Sequence, residues 1–226
     1  MASKFVIVFH VYGFFQSISA LVLYHNFVET ARPSKFGGPW RFLTYINMNI
    51  QAALFTLCVL TDVAYIINAK SIGFKLLKLR DNLFSAVAFP CCLMVFTTFW
   101  AIFLIDRELV YPAHLDKIIP VWMNHVMHTS ILITVVELFC TKHLYPRRVY
   151  GITVSSLFGF AYLLWILYIH YMTGDWIYPI LAELRGLSFV AFIAAQIIFQ
   201  DLLYVMGEVL NRASGEYVEE KGSKKA

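Results

Sequence analysis

Six apolar runs constrain this chain more than any motif in it. They cover roughly 5–25, 41–67, 83–105, 119–140, 150–172 and 186–210. Each is close to the roughly 20 residues a helix needs to cross the hydrocarbon of a bilayer. Lipid offers no hydrogen bonds to the backbone, so a run of this kind must satisfy its own N–H and C=O groups as a helix. The expected fold is therefore all-α: a polytopic integral membrane protein with six transmembrane helices. Composition agrees, because only 14% of residues are charged, against about 25% in a soluble domain. The net charge of +4 sits mostly in the segments between runs, so it is not a nucleic-acid footprint.

Ser17, Ser19 and Ala20 loosely resemble a signal-peptide cleavage site. The first apolar run is longer than a usual signal core, so it is read as a retained helix. The connections are ETARPSKFGGP, NAKSIGFKLLKLRD, DRELVYPAHLDK, TKHLYPRR and TGDWIYPILAELR. None is long enough for a second domain. The chain is therefore read as one six-helix unit over 1–211, with a polar tail over 212–226 expected to be disordered. Tyr-Pro recurs at 111–112, 145–146 and 178–179. The expectation is that Tyr anchors at the interface and Pro ends helices. With the N-terminus in the cytoplasm, twelve Lys and Arg fall on the cytoplasmic side and six on the other. That bias favours both termini in the cytoplasm.

The polar residues inside the runs fall into two layers. At about 100° per residue, Thr44, Asn47, Gln51 and Asp62 share one stripe of the second run. Asn124 and His128 share a face of the fourth, with His125 a little to one side and Glu137 on the opposite face. Thr44, Asn47, Asn124, His125 and His128 belong to one half of the bilayer. Asp62, Glu137 and Asp201 belong to the other, where their expected role is to anchor helices to one another and to basic loops. Ionisable groups in the membrane default to a functional hypothesis.

Three chemistries compete for the first layer. His125 and His128 are three apart, without the i, i+4 pair of a zinc helix or a nearby carboxylate, so no metal is expected there. No second histidine matches the depth of His128, which argues against haem. The four cysteines, Cys58, Cys91, Cys92 and Cys140, lie in apolar runs without CxxC spacing and read as buried free thiols. Nucleophilic catalysis remains: a threonine hydroxyl is weak alone, but an adjacent imidazole can activate it. Thr44 and His128 lie at compatible depths. Residue types alone still favour packing, since membrane threonines usually bond to their own helix carbonyls.

A resemblance shifts that balance. The stretches GGPWRFLTYINMNIQ, LRDNLFSAVAFP, DRELVYPAHLDKIIPVWMNHVMHT, TGDWIYP and LYVMGEVLN resemble, in order, the family of the androgen-induced gene 1 protein and the androgen-dependent TFPI-regulating protein. The resemblance covers Gly37 to Asn211. It implies a six-span threonine hydrolase cleaving fatty acid esters of hydroxy fatty acids without a cofactor. The family threonine, after W-[RK]-F-L, falls on Thr44, and the second histidine of N-H-x-M-H-T falls on His128. His125, Asn124 or a backbone carbonyl is then the expected third member. Asn47 and Asn124 are candidate oxyanion donors. The expected partners are bilayer lipid and a branched fatty acid ester, in the plasma membrane or the endoplasmic reticulum. The competing class is a non-enzymatic transporter or a regulator of another membrane protein.

Overall fold

The computed structural model describes residues 3–30 and 35–214; of the tail expected over 212–226, residues 212 and 213 instead end the last helix, and 215–226 lie outside the described residues. Among the described residues every regular element is helical. Helix α1 (Lys4–Tyr24) runs on into a π-turn at His25–Glu29, and α2 spans Leu43–Ile66. Helix α3 (Lys70–Leu83) passes through a second π-turn at Phe84–Ala88 into α4 (Phe89–Asp106). The fourth span is α5 (Val121–His128) and α6 (Ile133–Cys140), joined by a 3₁₀ turn at Ser130–Leu132. Helices α7 (Arg148–Thr173), the short α8 (Pro179–Glu183) and α9 (Leu187–Ala213) complete the chain. Six helical segments are long and apolar enough to cross a membrane.

Two boundaries differ from the sequence expectation. The segment NAKSIGFKLLKLRD is not a plain connection, because from Lys70 it forms α3 and lengthens the third span to 40 residues, Lys70–Leu109. Its lysines and leucines are good helix formers; their charge lowers hydropathy without interrupting the backbone hydrogen bonds. Asn68, in the left-handed region at φ 64°, makes the turn from α2. The fourth run reads as one helix but is broken after His128. There Ser130 donates to Val126 O at 2.7 Å and accepts from Gln16 Nε2 of α1 at 2.8 Å. Ser and Thr in such a back-bonding geometry bend helices.

Large apolar side chains such as Phe5, Leu104, Ile105, Tyr171 and Leu187 are exposed on the outside of the bundle. In lipid this costs nothing, since hydrocarbon tails are as apolar as the residues; close packing and internal polar contacts hold the helices together instead. Helix α1 lies along α2, and α9 packs against both α4 and α7. At the α1–α2 crossing a Cβ on Gly13 would run into the ring of Phe55. One apolar cluster, with Tyr24, Met48, Phe99 and Met123, surrounds the start of α2. A second, with Phe55, Phe84, Phe89 and Leu138, surrounds its far half.

Candidate active site

Thr44 stands in the first turn of α2, and α7 and the loop after it position that turn. Gly37, at φ 82°, swings the chain into a 3₁₀ turn at Gly38–Arg41 against α7, where a Cβ would press on Ile169 and Trp165 at 3.2 and 3.3 Å. Trp165 Nε1 donates to Trp40 O at 3.0 Å, and Tyr162 OH donates to Arg41 O at 3.0 Å. The backbone N–H of Leu43 donates to the phenol oxygens of Tyr162 and Tyr178, at 3.0 and 3.1 Å. Burial pushes the Tyr178 phenol above its ordinary pKa, so it stays a neutral hydroxyl.

Thr44 Oγ1 lies 3.2 Å from His128 Nε2. The other nitrogen of that ring, Nδ1, lies 3.1 Å from Asn124 O, one turn earlier on α5. A carbonyl only accepts, so Nδ1 carries the proton and Nε2 is left as an acceptor facing the threonine hydroxyl. Phe99 of α4 stacks on the imidazole with centroids 3.5 Å apart and planes 4° from parallel. His128 is 5% exposed, so bulk water does not compete for its nitrogens. Thr44 also lines an apolar cavity of about 150 Å³ between α4, α7 and α9, with Phe99, Phe158, Tyr162 and Leu181 among its walls. The site thus offers a hydroxyl, a correctly protonated base and an apolar chamber.

A family model described as FAR-17a/AIG1-like protein matches residues 5–212. The chain belongs to that family. The human androgen-induced gene 1 protein is 36% identical over 203 residues, covering 86% of this chain and 85% of that one. The human androgen-dependent TFPI-regulating protein is 39% identical over 177 residues, covering 77% and 76%. Its mouse counterpart is 39% identical over 185 residues, covering 81% and 80%. No solved structure matches.

The other sequence-selected residues separate in this family member. Asn124 supplies its backbone carbonyl to His128, while its side-chain Oδ1 is buried without a hydrogen bond. Asn47, one turn past Thr44, accepts from Gln51 Nε2 at 2.9 Å, and its own Nδ2 is buried without a hydrogen bond. His125 is exposed, stacks on Trp100 and has Nδ1 3.2 Å from Thr129 Oγ1, so it does not orient His128. In the other layer, Asp62 and Glu137 meet His10 of α1, and Asp201 accepts from Ser156 of α7 at 2.8 Å.

Three contributors went unselected in the sequence. Phe99 is one of 20 phenylalanines with no local mark. Tyr162 is equally anonymous within the fifth run. Tyr178 is marked in the sequence by its Tyr-Pro pair, for which the expectation is an interface anchor; the structure turns the tyrosines of these pairs inward. Tyr111 is 3% exposed, and Tyr145 and Tyr178 are half-buried. The Tyr178 hydroxyl finds its partners inside the bundle, in Leu43 N–H and Tyr162 OH, whereas the Tyr145 hydroxyl is buried without a hydrogen bond.

Proposed function

We propose that the chain is an integral membrane ester hydrolase that cleaves fatty acid esters of hydroxy fatty acids, with Thr44 as nucleophile and His128 as base. The observation that carries the reading is the 3.2 Å approach of Thr44 Oγ1 to His128 Nε2, with Nδ1 held by Asn124 O. Family membership supports it, as does the apolar cavity on which Thr44 opens. His128 takes the hydroxyl proton as Oγ1 attacks the ester carbonyl. The tetrahedral intermediate collapses, the hydroxy fatty acid leaves with the proton from His128, and Thr44 holds the acyl group. Water, activated by the same imidazole, then releases the second acid. The orienting role that an acid fills in the serine triad falls here to the carbonyl of Asn124.

The oxyanion needs donors near Oγ1. The first N–H groups of a helix have no intrahelical partner. Leu43 N–H is taken by the two phenols, and those of Tyr45 and Ile46 both bond to Phe42 O. That leaves the N–H of Thr44 itself, at the positive end of the α2 dipole, with Asn47 Nδ2 one turn deeper. With both termini in the cytoplasm, this site occupies the outer half of the bilayer, and a two-chain ester reaches it from the lipid of the plasma membrane or the endoplasmic reticulum.

The test is hydrolysis of a branched fatty acid ester, with fluorophosphonate labelling, by membranes carrying wild type, Thr44→Ala or His128→Ala at matched expression. Turnover is expected to fall by roughly 10³-fold or more in each variant, and the label to disappear in Thr44→Ala. Full turnover by Thr44→Ala would end the threonine mechanism. A wild type inactive on every ester class would move a transporter or regulator role to the front.

A further inference from the structure

At the end of the bundle where α1 begins lies a second polar cluster that the ester chemistry does not use. His10 of α1, Cys58 of α2 and Glu137 of α6 bring one donor atom each to within 4.8 Å of one another, all three fully buried. His143, in the loop after α6, is 2% exposed and points Nε2 at the same carboxylate, 3.5 Å from Glu137 Oε1. We propose that these four side chains form a structural zinc site that ties α1, α2 and the fourth span together.

Two sets of distances distinguish this from an ordinary buried ion-pair network. Charge-assisted N–H···O bonds run about 2.7–2.9 Å. The outward-facing nitrogens have them: His10 Nδ1 to Asp62 Oδ2 is 2.6 Å, and His143 Nδ1 to Asp81 Oδ1 is 2.9 Å. The inward-facing atoms do not. His10 Nε2 lies 3.1 and 3.2 Å from the two Glu137 oxygens, and Cys58 Sγ lies 3.8 Å from Oε1. His143 Nε2 is buried without a hydrogen bond. Four donors about 2.0–2.3 Å from one tetrahedral ion stand about 3.3–3.8 Å apart. The distances from Glu137 to His10, Cys58 and His143, from 3.1 to 3.8 Å, are close to the edges of that polyhedron. Thr141 Oγ1, 3.1 Å from His10 Nε2, borders the same space.

The outer bonds have the form of a metal second shell. A ligating histidine usually gives its other N–H to a carboxylate, which fixes the tautomer and raises its basicity. Both histidines do so here, and Asp81 is held in turn by Arg80 at 2.7 Å and by Leu144 N–H at 2.9 Å. Asp62, Asp81, Glu137 and a Cys58 thiolate against Arg80 carry a formal excess of three negative charges inside an apolar bundle, of which one divalent cation cancels two. Coordination by Cys58 as thiolate releases one proton. Two imidazoles, a thiolate and a carboxylate suit zinc. With no ligand open to solvent the site is closed, hence structural. It is independent of the hydrolase reading.

Metal analysis of the full-length protein purified in mild detergent tests this. About one zinc per chain is expected in wild type and in Thr44→Val, with loss in Cys58→Ser and His143→Ala. Replacing zinc by Co²⁺ in wild type should give a thiolate-to-cobalt charge-transfer band that Cys58→Ser lacks. A folded, monodisperse wild type that holds no zinc, takes up no Co²⁺ and has the same melting temperature with Zn²⁺ or a chelator would overturn the site. So would zinc retained in both ligand variants.

Discussion

Replacing Phe99 by leucine tests whether the base is held by its stack as well as by its hydrogen bond. The ring covers His128 at 3.5 Å and 4°, while the Nδ1 bond to Asn124 O fixes only one edge of the imidazole. Aromatic pairs contribute about 0.5–1.5 kcal/mol beyond area. If that energy goes into aiming Nε2 at Thr44, its loss slows attack by roughly two- to tenfold. The rate of fluorophosphonate labelling is the suitable readout. A small probe reports the readiness of the nucleophile and is less sensitive than a two-chain ester to the altered cavity wall. Stability should fall separately by about 1–2 kcal/mol, because Phe99 is only 6% exposed and a smaller side chain leaves part of its volume empty. Phe99→Leu that labels at the wild-type rate, while melting lower as expected, would refute the positioning role and leave Phe99 as packing alone.

Thr44→Ser should keep the fluorophosphonate label with turnover lowered several-fold, since the hydroxyl remains but the methyl that restricts its rotamer is gone. Thr44→Val, equal in shape, should lose the label while costing only about 1 kcal/mol of stability, the worth of one hydrogen bond; a labelled valine variant would mean another nucleophile. Tyr162→Phe removes the donor to Arg41 O and one acceptor of Leu43 N–H, so about 1–2 kcal/mol of stability should go and labelling should slow. Unchanged melting and labelling would show that Tyr178 holds the turn alone. Gly13→Ala should destabilise by about 1–3 kcal/mol through overpacking against Phe55. Pairing it with Phe55→Leu should cost less than the sum of the two single changes; strict additivity in a thermal melt would show that the contact is not the cause.

The helical stripe of Thr44, Asn47 and Gln51 was legible from residue spacing, because helix periodicity is local. The structure realises it as the Gln51–Asn47 hydrogen bond, with Thr134 reaching Gln51 from the fourth span. The same geometry set Glu137 away from His128, and in the structure it faces His10. Helix α3 was hidden because hydropathy reports solvent preference and α3 carries charge. The break after His128 was hidden because nothing in HTSILI forbids a continuous helix; Ser130 is held by Gln16, more than a hundred residues away in sequence.

By itself the sequence determined the six helices that can span a membrane, the division of their polar residues into two layers, and the family to which the chain belongs. Each of these follows from the local chain or from matched residues. The tertiary structure alone decided which groups touch. Thr44 and His128 are 84 positions apart, and His10 and Glu137 are 127 apart. Their distances depend on how helices pack, and packing in lipid rests on many small contacts of the kind Gly13 makes with Phe55, which no local pattern encodes. For the same reason Phe99, indistinguishable in the sequence from the chain's other phenylalanines, became the face on which the His128 imidazole rests.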